Sequence, residues 1–207
     1  MARTIVLGVT GSIAAYKACE LVRLFVKNGD DVHVIMTDHA KEFVTPLTFR
    51  TLSRNPVQSE MFADPLGWKP GHISLAEAAD ALVIAPATAN IIAKMANGIA
   101  DDLLSSVALA TNAPIIVAPA MNAGMWENKA TRENIERLRA RREIRGAGIG
   151  GARLRDVWSR PDGGAGSGLR GSVKKHSFRL AFPTRFLLSS MRFSTKETFT
   201  SIRRNKK

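Results

Sequence analysis

Four short apolar runs, rich in β-branched residues and each leading into a turn and then helical periodicity, constrain this chain more than any other feature. They are Thr4 to Thr10, Asp31 to Thr37, Ala81 to Pro86 and Asn112 to Ala118. Short, nearly continuous apolar runs are the pattern of strands buried on both faces, as in a parallel sheet covered by helices. Between the first two runs, residues 13–28 have helical periodicity. Ala14, Ala18, Leu21, Leu24 and Phe25 form the expected buried stripe, and Gly29 the expected C′ residue. Strand, helix and strand in that order imply a parallel pair joined by a right-handed crossover.

Ligands of an open parallel sheet sit outside the carboxyl ends of its strands, so the residues that follow each run are the candidates. After the first run come Gly11, Ser12 and Ile13, where a helix start leaves backbone N–H groups unpaired. Ser12 either caps that helix or offers its hydroxyl to a phosphate, and Lys17 follows within the next turns. The spacing is neither G-x-G-x-x-G nor a Walker A loop. Thr37 ends the second run, before a short helix predicted from His39 to Val44. Residues 56–70 read as a long connection, a length usually associated with function or mobility. That connection leads to His72, which opens a short helix ending at Ala79.

The third run is followed by Thr88, Ala89 and Asn90, small residues and donors that permit close backbone approach. A helix is expected over 91–98 with Lys94 inside it. Asp101 and Asp102 then cap a helix that runs through Ala110, their carboxylates meeting its N-terminal dipole. The fourth run enters Pro119-Ala120-Met121-Asn122-Ala123-Gly124-Met125-Trp126, a loop with one carboxamide among bulky apolar groups. Two readings fit: a pocket that holds an apolar ring beside one polar group, or a loop that folds back on the core. A last helix spans 128–139.

The formal charge of +12 is unevenly distributed. Met1 to Glu136 holds 11 Lys and Arg against 14 Asp and Glu, a balance of −3, whereas Arg137 to Lys207 holds 19 against 4, a balance of +15. A nucleic-acid or anionic-membrane partner is therefore suggested only by the last third. Cys19 is the sole cysteine, which rules out an intrachain disulfide framework; its place on a helical pattern predicts a buried structural thiol. No apolar run reaches the roughly 18 residues of a membrane span, and the chain enters its first strand without a signal-peptide pattern. A cytoplasmic location is expected.

Taken in order, Gly11-Ser12-Ile13-Ala14-Ala15-Tyr16-Lys17, His72, Pro86-Ala87-Thr88-Ala89-Asn90 with Lys94 and Asp101-Asp102, and Pro119 to Trp126 resemble the flavin-containing cysteine decarboxylase family. The likeness covers residue 1 to about 138, and it is closest to the branch that serves coenzyme A synthesis. It implies a flavodoxin-like Rossmann fold, α/β with a parallel sheet and helices on both faces, assembled as a homotrimer or a multiple of trimers. It implies FMN held by Gly11, Ser12, Ile13, Thr37, Thr88, Ala89 and Asn90. It further implies a catalytic His72, with Asn122 on the substrate carboxylate and Met125 beside it, and no metal. The implied reaction takes 4'-phosphopantothenoylcysteine to 4'-phosphopantetheine. The flavin would oxidise the cysteine to a thioaldehyde, CO2 would leave, and the electrons would return.

The resemblance ends where the family has a substrate-binding clamp with an Ala-Cys-Gly motif. Cys19 lies on an early helix and does not supply it. Residues 139–207 instead form a basic stretch without periodicity. It is either a disordered nucleic-acid-binding tail, although no ordered set of base-reading groups is present, or the product of a frame change near Arg139 to Glu143. The genetic code permits Glu143 to Ala165 to be re-read one base later as KFVEPESGELACGMYGRGRMAE, which looks like the missing clamp. The expected organisation is an FMN-binding decarboxylase domain at 1–138 and a basic tail at 139–207, without the synthetase domain often fused to such enzymes in bacteria. Turnover is expected to be impaired; an FMN-binding regulatory subunit without decarboxylase activity is the alternative.

Overall fold

The computed structural model describes residues 2–61, 71–141 and 144–146. Among these, six parallel strands form one sheet in the order β3-β2-β1-β4-β5-β6. The strands are β1 (Thr4–Val9), β2 (Asp31–Met36), β3 (Val57–Gln58), β4 (Ala81–Ala87), β5 (Ile115–Pro119) and β6 (Ile144–Gly146). The helices are α1 (Ala15–Lys27), α2 (Asp38–Lys41), α3 (Pro46–Ser53), α4 (Gly71–Ala78), α5 (Ala89–Asn97), α6 (Leu103–Ala110), α7 (Ala123–Glu127) and α8 (Lys129–Ala140). This is the expected flavodoxin-like α/β architecture.

Alternation along β1 shows how the two faces are built. Ile5, Leu7 and Val9 point to one side, and Val6 and Gly8 to the other; the whole strand after Thr4 is buried. Val6 joins a core with Leu82 and Ile84 of β4, Val117 of β5, Leu104 and Val107 of α6, and Ile135 and Leu138 of α8. Helices α4, α5, α6 and α8 pack on one another, whereas α1 packs on α3. Right-handed crossovers put these two sets on opposite faces, because the chain moves across the sheet in opposite directions before and after β3. Gly8 is required by the tight approach of α6: a Cβ there would lie 2.4 Å from Leu104 Cδ1.

Several sequence expectations are corrected. In α1 the buried face is Ala15, Ala18, Val22 and Phe25; Ala14, Leu21 and Leu24 are half-buried. Gly29 does end the helix, with φ of +85°. Cys19 is half-buried rather than buried, and burial raises its thiol pKa, so it is no activated nucleophile. The helix predicted over 39–44 is the shorter α2, and Pro46 starts α3, a position that suits a residue with no N–H to pair. Part of the 56–70 connection is β3, paired with β2; residues 62–70 lie outside the described set. The fourth run begins its strand at Ile115, and α6 starts at Leu103. The proposed tail at 139–207 falls, apart from residues 139–141 and 144–146, outside the described residues.

Replacing Gly8 with Val should destabilise the fold by about 1–3 kcal/mol through overpacking against Leu104. Urea unfolding would show it, and in a Leu104→Ala background the same change should be close to neutral.

Candidate functional site

Strand order reverses between β1 and β4, since successive strands run outward from β1 on one side and outward from β4 on the other. At such a switch point the loops leaving two neighbouring strands diverge and open a crevice. The residues that line it are Gly11 and Ser12 after β1 and Thr88 to Asn90 after β4, two of the groups nominated from sequence.

Backbone and side-chain bonds stitch four strand ends together here. Thr37 N donates to Val9 O at 3.1 Å, which joins β2 to β1. Thr10 Oγ1 donates to Pro86 O at 2.7 Å and accepts from Thr88 N at 3.1 Å, which joins β1 to β4. Ala120 N donates to Ala87 O at 2.9 Å, which joins β4 to the loop after β5. Gly11 is needed for close approach: a Cβ would stand 2.4 Å from His39 Cβ and 3.1 Å from the His39 carbonyl. The structure thus brings Gly11, Ser12, Thr37, Thr88, Ala89 and Asn90 to one edge. Ile13 is there also, 66% exposed.

Three helices start at this edge without a side-chain cap, as does α3, whose N-cap Thr45 also makes no such bond. The N-cap residues of α1 (Ala14), α2 (Thr37) and α5 (Thr88) make no side-chain capping bond. By contrast, α6, α7 and α8 are capped by Asp102, Asn122 and Asn128. Ser12 Oγ is only weakly engaged, 3.4 Å from Ala14 N. Uncapped helix starts present N–H donors and the positive end of the dipole, and at α2 and α5 a threonine hydroxyl is added. A phosphate or another anion is the group such an edge accepts.

His72 lies in the first turn of α4, beside the end of β3, where a Cβ on Gly71 would be 3.4 Å from Gln58 Oε1. Its Nδ1 is shielded from solvent and has no hydrogen-bond partner. A buried ring nitrogen left unpaired is costly and needs a reason, of which a ligand is one. Asn122 is the N-cap of α7, and its Oδ1 accepts from Gly124 N at 2.8 Å. With the oxygen occupied, the NH2 end of the carboxamide is what remains to meet a ligand, and it can donate to a carboxylate. Both readings of the apolar loop hold in part. Met121 and Trp126 pack on the core, whereas Asn122 is exposed and Met125 is 50% exposed.

Lys94 stands between Asp101 Oδ1 and Asp102 Oδ2, at 2.6 Å from each, with its side chain 17% exposed. Burial opposes its charge, but the two carboxylates outweigh burial and raise its pKa. Asp102 also closes a capping box: its Oδ1 accepts from Ser105 N at 2.8 Å, while Ser105 Oγ accepts from Asp102 N at 3.1 Å. Burial would raise the Asp102 pKa; Lys94 and Ser105 prevail and lower it. Asp102 therefore caps as expected, and Asp101 serves Lys94 instead. A cavity of about 520 Å³, lined by Met95, Ile99, Leu109, Asn112, Ile115 and Arg141 among others, lies at the amino edge of β5 and shares no residue with the switch-point loops. Among the described residues no helix is long and apolar enough to cross a membrane, and no group of three or more His, Cys, Asp or Glu is placed to hold a metal.

Thr10 was missed from sequence. Its partners are 76 and 78 residues away, and a lone threonine at a strand end carries no local signal.

A family model described as Flavoprotein matches residues 1–150. A coenzyme A biosynthesis bifunctional protein, CoaBC, of Vibrio cholerae is 48% identical over 136 residues, which are 66% of this chain and 34% of that protein. The chain thus spans about a third of the length of the curated relatives it matches. Among solved structures, the FMN-dependent cysteine decarboxylase SpaF superposes with a TM-score of 0.66 at 31% identity, covering 72% of this chain and 86% of SpaF. A cysteine-to-serine mutant of PPC decarboxylase complexed with pantothenoylaminoethenethiol gives a TM-score of 0.62 at 28% identity, covering 74% and 88%.

Substituting Ala for Asp102 should destabilise the protein at neutral pH by about 1–2 kcal/mol, the usual loss of an N-cap. Because folding lowers this carboxyl below its ordinary 3.8, its contribution is present above that value and disappears as the pH falls through the folded one. Urea midpoints of wild type and variant should therefore converge in acid below the ordinary value.

Proposed function

This chain belongs to the flavoprotein family, and on that premise we propose that it binds FMN in the crevice between the ends of β1 and β4, in a domain built for decarboxylation of a cysteine-derived substrate. The substrate we assign is 4'-phosphopantothenoylcysteine, and the product 4'-phosphopantetheine, within coenzyme A biosynthesis in the cytoplasm. The assembly is a homotrimer or a multiple of it. The observation that carries this reading is the convergence of uncapped helix starts, α1, α2 and α5, on one sheet edge. The relatives named above support the chemistry, since they include an FMN-dependent cysteine decarboxylase and a PPC decarboxylase.

The residues present fit the flavin. Gly11 leaves the close approach that a Cβ would fill, and Ser12, Thr37 and Thr88 offer hydroxyl donors at helix starts without a side-chain cap. Ile13, Ala89 and Asn90 complete the cofactor set. When bound, FMN supplies a reversible two-electron oxidation of the substrate thiol, which creates the electron sink that loss of CO2 requires. The chain contributes position and protons. Asn122, its oxygen fixed by Gly124 N, donates its NH2 to the substrate carboxylate, and Met125 lies against the substrate. His72 moves a proton to or from the substrate through its imidazole.

Residues 1–138 are the catalytic domain in this reading, and 139–207 a tail made by translation in a shifted frame. The chain as it stands then holds flavin but lacks the Ala-Cys-Gly clamp, so turnover is impaired. Purified protein should retain flavin absorbance yet form no 4'-phosphopantetheine. Full turnover by this chain would refute the impairment, and a purified protein that takes up no FMN would refute the flavin site itself. Sequencing the gene should show an Ala-Cys-Gly codon run one base out of frame beyond Glu143; its absence would sink the frame-shift reading.

A chimera that carries the shifted reading after Glu143 should regain decarboxylation. Within it, His72→Asn should lower kcat by about 100-fold or more. Asn122→Asp keeps the α7 cap but replaces two donors by a negative charge, so KM should rise while flavin content is unchanged. A His72→Asn chimera with normal kcat would remove the histidine from the mechanism.

A further inference from the structure

We propose that Thr10 is the positioning residue of the crevice: one buried hydroxyl fixes the separation of the β1–α1 and β4–α5 loops and so sets how tightly the flavin site closes. The flavin part rests on the function proposed above. The linkage itself rests on geometry alone.

The ladder between β1 and β4 runs from Ile5 opposite Ala81 to Gly8 opposite Ile84. Beyond that point the two chains diverge, and the crevice opens. Thr10 comes two residues after the last ladder pair and is 2% exposed. Its Oγ1 donates to Pro86 O at 2.7 Å and accepts from Thr88 N at 3.1 Å. A hydroxyl has one hydrogen and two lone pairs, so both bonds form at once on a single atom. The carbonyl of Thr10 meanwhile accepts from Ser12 N at 2.9 Å. One residue therefore holds the backbone of Ser12 with its main chain and that of Thr88 with its side chain. Ser12 and Thr88 stand on the two walls of the crevice, and no other residue among those described bonds to both.

The chemistry is specific to a hydroxyl. Valine has the same shape but would leave the Pro86 carbonyl and the Thr88 amide without this partner in a buried place. Serine keeps both bonds and gives up only a methyl group. A merely structural residue would lower overall stability when replaced, without a selective effect on the two loops or on the bound flavin.

Amide hydrogen exchange on the full chain without flavin tests the linkage. Thr10→Val should speed exchange around residues 10–14 and 87–91 and leave α8 unchanged, and Thr10→Ser should exchange as wild type does. FMN titration tests the consequence. The dissociation constant should rise about tenfold in Thr10→Val, which loses both bonds of the hydroxyl, and stay within about twofold of wild type in Thr10→Ser. The visible circular dichroism of bound flavin should change in the valine variant. If Thr10→Val does not fold, Thr88→Pro, at a φ of −76° that the proline ring accepts, removes the amide donor together with the Thr88 hydroxyl, so it is read by exchange without flavin alone, which should speed up around residues 10–14.

Unchanged exchange in the two loops would overturn the proposal, and so would faster exchange with an unchanged FMN constant. A wild-type chain that binds no FMN would overturn the flavin reading instead, and the exchange comparison, made without flavin, would still decide whether Thr10 joins the loops.

Discussion

Reversal of strand order between β1 and β4 is the constraint from which the rest of this structure follows. A parallel ladder holds its strands at a fixed spacing only while it lasts, and here two helices must leave neighbouring strands toward opposite faces of the sheet. The space that opens is polar by necessity, because the backbone groups of both departing segments have lost their ladder partners. The chain answers with bonds beyond the ladder: Thr37 N to Val9 O, the Thr10 hydroxyl to Pro86 and Thr88, and Ala120 N to Ala87 O. These bonds keep four strand ends in line although each belongs to a separate loop. Without them the candidate residues would share a sheet edge but no fixed geometry.

Net charge does not favour an anion at this edge. Residues 1–136 carry a balance of −3, so the long-range field of the domain slightly repels a phosphate. Local dipoles act at much shorter range, where three helix starts lack side-chain caps and the donors face one region. The opposite choice at α6 is informative. There Asp102 satisfies its helix start with a capping box and also neutralises Lys94 together with Asp101, so neither the donors nor the cation remains available. The capping box thus uses up the donors at the start of α6, whereas α1, α2 and α5 begin without a side-chain cap.

Much of this was legible in the sequence, and the failures have physical causes. The four apolar runs were recognisable because strands buried on both faces need no alternation to be seen. Gly29 announced its positive φ for want of a Cβ. The α1 stripe was placed partly on the wrong residues because Ala14 and Leu21 alternate with Ala15 and Val22, so two neighbouring helical phases are both apolar and only packing decides between them. The helix predicted from His39 to Val44 was drawn too long, and α3 was missed because its first residue is Pro46, which marks a helix start as readily as a break. β3 has two residues, too few for any period. At the crevice, Gly11, Ser12, Thr88, Ala89 and Asn90 could be nominated from their places after the strands, whereas Thr10, marked only by contacts across the sheet, could not.

The loop from Pro119 to Trp126 shows how an apolar composition can serve an exposed polar side chain. A carboxamide aimed at a ligand must be fixed in direction, and one hydrogen bond from Gly124 N leaves its base free to move with the loop. Met121 and Trp126 supply the missing restraint by packing on the core on either side of Asn122. With both flanks anchored, α7 turns within five residues and Asn122 stays exposed at its start. A loop of small polar residues could offer the same amide but could not hold it, because nothing would be lost when it moved. The bulky neighbours that first suggested a buried segment are the reason an exposed asparagine can keep one orientation.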